Sequence, residues 1–223
     1  MKRARRAALA HHAGFGLMLL FLYWAHGRVG SDAAPNAPDA PAAEDAIRHW
    51  KEGPRAVARQ MIAEYGPPQQ AGWRQLRWTD NGPWVQTIVH RSAFPRVLGP
   101  RKRDWLEQTV SYLAPVQAVD DIHAFDERIE VNRRAAQMSS RSPDEPTNIL
   151  LLNLAQEVAS GRRDVRSARE LAARTEALAK EGKTSVYTQR LLFRPRSKRS
   201  HAPAMVPAGT RGYTEPQKGG PHE

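Results

Sequence analysis

No cysteine occurs in the 223 residues, and that absence removes several chemistries together. There can be no disulfide, no thiolate nucleophile, no cysteine-ligated zinc and no iron–sulfur cluster. The lipid-bearing cysteine of a bacterial lipoprotein is excluded as well. The chain also has no Gly-rich phosphate loop, no His-Glu-x-x-His, no Gly-x-Ser-x-Gly and no calcium-loop pattern. No internal repeat is present, which excludes a solenoid. Acidic residues are in deficit, giving a formal net charge of +11. That excess sits at the two ends: residues 1–6 carry +4, residues 183–223 carry +6, and residues 7–182 carry only +1. A folded nucleic-acid reader should show its basicity on the domain, so no nucleic-acid partner is expected.

What is present begins with an export pattern. Lys2, Arg3, Arg5 and Arg6 precede an uncharged apolar run over 13–25. Its length fits a signal-peptide core and is short for a membrane span. Counting back to Ala7 lengthens the uncharged stretch, but His11 and His12 interrupt it. Ala25-His26-Gly27 and Val29-Gly30-Ser31 are passable cleavage sites. Residues 1–31 thus read as a signal peptide or an uncleaved signal anchor, with the anchor preferred. On that reading residues 7–25 enter a bacterial inner membrane. The N-terminus stays in the cytoplasm, and the remainder faces the periplasm or is secreted into it.

Residues 32–43 are an Ala/Pro linker, a composition that favours an extended spacer. A single α+β domain is expected over 44–194, followed by a disordered basic tail over 195–223. Val57, Met61, Ile62 and Tyr65 recur at helical spacing and predict a helix over 54–65, stopped by Gly66-Pro67-Pro68. Leu76 and Trp78, then 84–91, flank the turn signal Asp80-Asn81-Gly82-Pro83 and predict a hairpin. A third strand is expected within 105–113. A short helix is expected over 116–126. A fourth strand at Ile129 and Val131 could run on toward Met138. Two helices follow, over 144–160 and 164–181, and 184–193 could add an edge strand. The expected architecture is a small antiparallel sheet of about four strands packed against three main helices, preceded by the N-terminal hydrophobic helix.

Three motifs, Tyr65-Gly-Pro-Pro68, Asp80-Asn-Gly-Pro-Trp84 and Asn153-Leu-Ala155 leading to Gly161, occur in order. With Ala168-Arg169-Glu170 they resemble a family of uncharacterised exported bacterial proteins over roughly residues 46–180. That resemblance implies an α+β fold and brings no activity and no catalytic residues. In the family the stretch after Phe125-Asp126 reads Gly-Ser and later Gly-Glu-Leu-Ser. Here it reads Glu127-Arg128 and Ala135-Ala136-Gln137-Met138, so that later acid is missing. A looser likeness is to periplasmic modules in which a helix ending in Gly-x-Pro precedes a β-meander.

Two sets of residues are candidates for chemistry. Asp120, His123 and Asp126 crowd into one short helix, where an imidazole and carboxylates could ligate a metal or a carboxylate could orient His123 as a base. His90, on strand 84–91, could join His123 and Asp126 in a hydrolase site. The ordinary reading is a solvated acidic helix flank and a half-buried core histidine. Trp73, Trp78 and Trp84 gather around one hairpin; exposed they could stack on a sugar or peptide, and buried they form the core. The tail 190–199 mixes bases with Leu191, Leu192 and Phe193, a composition that could contact an anionic membrane. No cofactor is expected. The preferred reading is a non-enzymatic envelope protein that binds a protein or cell-wall partner. The alternatives are a metal-dependent or His/Asp hydrolase, and a nucleic-acid binder acting through the basic ends.

Overall fold

The computed structural model describes residues 39–93 and 104–196. It begins with two helices, α1 (Ala40–Ile47) and α2 (Glu52–Tyr65). Asp39 caps α1, its Oδ1 accepting from Ala42 N at 2.9 Å. The helix therefore opens on residues that composition assigns to the linker, because Asp39-Ala40-Pro41 supplies both a cap and a first-turn proline. Gly66, at φ +75°, ends α2, and its N–H donates to Ile62 O.

Six strands then form one antiparallel sheet in the order β1-β2-β3-β4-β6-β5. They are β1 (Gln70–Ala71), β2 (Gln75–Asn81), β3 (Trp84–His90), β4 (Leu106–Ser111), β5 (Ile129–Asn132) and β6 (Gln137–Ser142). The expectation of about four strands is corrected at two places. β1 is two residues long and offers no periodicity to read. The expected fourth strand is a hairpin, β5 and β6, turning at Arg133–Ala136 with neither glycine nor proline. Asn132 Oδ1 accepts from Ala135 N at 3.0 Å, and Ala136 takes φ +49°, so side-chain bonding and one left-handed residue make the turn.

Between β4 and β5 lie a 3-10 turn at Val116–Ala118 and α3 (Val119–Phe125). After the sheet come α4 (Glu145–Ala159), α5 (Val165–Lys180) and α6 (Val186–Gln189). Asp144 caps α4 and Asp164 caps α5, each accepting from a backbone N–H three residues on. The edge strand expected within 184–193 is instead α6 and an irregular segment. Ser185 caps that short helix, and Asn153 of α4 draws the chain that follows onto the helices rather than the sheet.

The helices cover one face of the sheet, around two apolar clusters. α1 and α2 send Ile47, Trp50, Val57, Ala58 and Met61 against Leu76, Trp78, Val89 and Leu106. α4 is buried along nearly its whole length. It packs between Val110 and Met138 of the sheet and the apolar sides of α3 and α5. Across the sheet, register places Thr87 beside Gln108 and Gln108 beside Ser140. This polar row lies on the helix-facing side, since Gln108 meets Asn148 of α4. One residue out of step, Ile88, Glu107 and Arg141 form the matching row on the opposite face.

The inner-membrane anchor expected at residues 7–25 is corrected. Among the described residues no helix is long and apolar enough to cross a membrane. The apolar run within 7–25 is itself shorter than the roughly 20 residues a span requires. Residues 7–25, and the basic tail beyond Arg196, lie outside the described residues.

Candidate functional site

The His and Asp candidates are held in separate places. His90 ends β3, and its Nε2 lies 3.1 Å from Glu107 Oε2. Arg141 reaches the same carboxylate oxygen at 3.3 Å. Burial pushes the Glu107 carboxyl up, but the His90 hydrogen bond and the Arg141 charge outweigh it and hold the group below its ordinary value. All three sit on the face of the sheet opposite α4. Asp126 follows α3 and clasps Arg128 with both oxygens, at 2.8 and 2.7 Å. Arg128 also reaches Glu176 of α5 at 3.1 Å. Burial opposes the charge on Arg128, and the two carboxylates overcome it, raising its pKa. This is a clamp joining β5 to α5.

His123 and Asp120 are exposed on α3, whose buried side enters the α4 cluster. His90 and His123 therefore stand on opposite sides of the sheet. Among the described residues no group of three His, Asp or Glu side chains is placed to hold a metal ion.

A second cluster lies between the two apolar clusters. Tyr65 Oη donates to Glu145, at 2.8 and 2.9 Å from its two oxygens. Trp84 Nε1 donates to Tyr65 Oη at 3.1 Å, and Gln108 Nε2 donates to Glu145 at 2.5 Å. Asn148 Nδ2 continues the chain to Gln108 Oε1 at 3.1 Å. Burial raises both the Tyr65 and the Glu145 pKa, and the mutual contact adds to the shift at Tyr65. An acid beside a phenol in a desolvated place is a pattern found at catalytic sites. Here each member of the cluster comes from a different element: Tyr65 ends α2, Trp84 begins β3, Gln108 lies in β4 and Glu145 begins α4. The contacts join the two halves of the core.

The three hairpin tryptophans divide. Trp78 is 0% and Trp84 1% exposed, whereas Trp73 is 62% exposed. By area, each buried indole contributes at most about 5 kcal/mol to folding, so Trp78 and Trp84 are core residues. Trp78 Nε1 also donates to Gly66 O at 2.9 Å. Trp73 sits at the tip of the β1–β2 turn, closed by reciprocal Gly72 and Gln75 backbone bonds of 3.0 and 3.2 Å. Its carbonyl accepts from Trp50 Nε1 at 3.0 Å, which fixes the tip against the helices. The Arg74 guanidinium lies 4.4 Å from the Trp73 ring centroid, and that of Arg91 lies 5.9 Å away. Arg91 N donates to Arg74 O at 2.8 Å, which sets the two arginines side by side.

Trp73 is shared by two adjoining cavities. One, of about 630 Å³, is lined by His49, Lys51, Gly53, Pro54, Trp73, Arg91, Ser92, Ala93 and Trp105. The other, of about 280 Å³, is lined by Trp73, Arg74, Gln75, His90, Arg91 and Ser92. Among the described residues no carboxylate lines either one. The Trp105 ring covers Gly53 so closely that a Cβ there would overlap it. The arrangement offers an open indole, a second indole wall, and the cations Lys51, Arg74 and Arg91. Sequence reasoning found Trp73 but not His49, Lys51, Arg74, Arg91 or Trp105, because the turn and the β3–β4 register bring them together. The only local signal was an arginine directly after Trp73.

Compared with known proteins, the chain matches no family model, no curated protein and no solved structure.

Proposed function

We propose that this is a non-enzymatic binding protein of the bacterial envelope, exported to the periplasm, which takes its partner in the groove at Trp73. The observation that carries the reading is the exposed Trp73 ring, flanked by two guanidiniums and opening onto a cavity of about 630 Å³. Tryptophan and arginine are the residue types that dominate binding energy at interfaces. Export is supported by the basic residues and apolar run of the N-terminus. The wide spacing of His90, His123 and Asp126 favours binding over the hydrolase alternative.

Two experiments test the proposal. The full chain tagged at Glu223 is expected in the osmotic-shock fluid; a tag retained in the cytoplasm contradicts export. Purified wild-type protein is expected to co-sediment with envelope material. Trp73→Ala should lose about tenfold or more of that binding, while equal sedimentation of the variant contradicts the groove.

A further inference from the structure

We infer that the groove at Trp73 binds an acidic glycan, a saccharide chain bearing carboxylates; the inference rests on the binding role proposed for that groove. Four observations converge on this class.

The first is charge. Lys51, Arg74 and Arg91 are permanent cations of the two cavities, and among the described residues no acid lines either cavity. The ligand must supply the negative charge.

The second is extent. The two cavities adjoin at Trp73, Arg91 and Ser92, so an occupant of both passes over the indole. That suits a chain better than a compact metabolite.

The third is the surface presented. Trp73 stands open and Trp105 forms a half-buried wall. Flat indole faces accept the C–H faces of pyranose rings, burying apolar area while the hydroxyls stay in water. Arg74 lies over the indole, 4.4 Å from its centroid, and brings a planar fork of N–H donors to the groove. That fork matches a carboxylate.

The fourth is the balance of the whole domain. A nucleic acid carries a charge at every step and is held chiefly by phosphate contacts spread along a basic face. Residues 7–182 carry a net charge of only +1. A local cationic groove on a neutral body fits a ligand with spaced carboxylates.

The test is calorimetric titration of the full chain with four probes: oligogalacturonate, a neutral chito-oligosaccharide, a polyglutamate peptide and oligothymidylate. Oligogalacturonate is expected to bind, about tenfold more weakly when salt rises from about 0.05 M to about 0.5 M. The neutral sugar should bind at least about tenfold more weakly, as should oligogalacturonate to Trp73→Ala or Arg91→Gln. Arg166→Gln, an exposed charge on α5, controls for bulk charge and should change nothing. Thermal melts confirm that each variant is folded. Trp73-dependent binding of polyglutamate or oligothymidylate, with none of oligogalacturonate, overturns the glycan and leaves the groove standing. Oligogalacturonate binding that survives both groove substitutions overturns the groove itself. Equal binding of the neutral sugar, or no binding of any probe, overturns the inference.

Discussion

Replacing Asn153 by leucine should release the C-terminal segment from the domain. Asn153 lies in the middle of α4 and is 1% exposed. Its Nδ2 donates to Tyr187 O at 3.1 Å and to Arg190 O at 2.9 Å. Its Oδ1 accepts from Leu192 N at 2.7 Å. Leucine keeps the number and branching of the side-chain heavy atoms and removes all three bonds. At about 1 kcal/mol each, they are worth roughly 3 kcal/mol. If the segment stayed in place, its orphaned backbone groups would add about 1–3 kcal/mol apiece. It need not stay, because its own docking is modest. Tyr187, Leu191 and Phe193 are only partly buried against the core, and each contributes about 1 kcal/mol by area. Detachment forfeits these contacts along with the bonds but returns the chain freedom that docking costs, at about 1–2 kcal/mol per ordered residue, so the loss stays within a few kcal/mol and the opening is local. Hydrogen exchange should show the Leu192 amide losing protection, and trypsin should cut faster after Arg190. Urea melts should report a loss of about 2–3 kcal/mol. Unchanged protection at Leu192 with stability within about 0.5 kcal/mol would refute the clamp.

Two further substitutions test other parts of the core. Glu145 has a pKa raised on folding, chiefly by burial and partly relieved by Gln108 and Tyr65. Folding thus favours its protonated form, so this contribution to stability is present at low pH and is lost as pH rises through the folded pKa. Glu145→Gln should melt alongside wild type at low pH and gain on it as pH rises above the ordinary glutamate value of about 4.3; a gap that does not change with pH contradicts this. Gly53→Ala would add up to about 1 kcal/mol of helix propensity. Its methyl would meet the Trp105 ring, at a cost of about 1–3 kcal/mol. The net expectation is a lower melting temperature and a shifted tryptophan emission; a raised melting temperature shows that the ring moves aside freely.

Much of the fold was legible because local chemistry and tertiary structure agreed. Asn81-Gly82 marks the β2–β3 hairpin, and Gly82 takes φ +61° there. Asp144 and Asp164 mark the helix starts as their side-chain caps require. The β5–β6 turn was hidden because Arg133–Ala136 carries no turn residue, and its one signal, Asn132, belongs to the strand before it. Residues 184–193 have the composition of a strand, yet Asn153, more than thirty positions away, decides their path. The family-like motifs resolve into packing: Tyr65 and Trp84 meet at Glu145, and Asn153 holds the C-terminal segment. Local pattern treats Trp73, Trp78 and Trp84 alike. Only the Gly72–Gln75 turn turns the first outward, so the groove could not be read before the sheet register was known.

The most direct test is a two-dimensional NMR titration of the ¹⁵N-labelled full chain with oligogalacturonate, following the six indole N–H signals. The Trp73 signal should move, with smaller shifts at Trp50 and Trp105, while those of the buried Trp78 and Trp84 stay fixed. Shifts at Trp84 with Trp73 unmoved would place binding at the Tyr65–Glu145 cluster and contradict the groove.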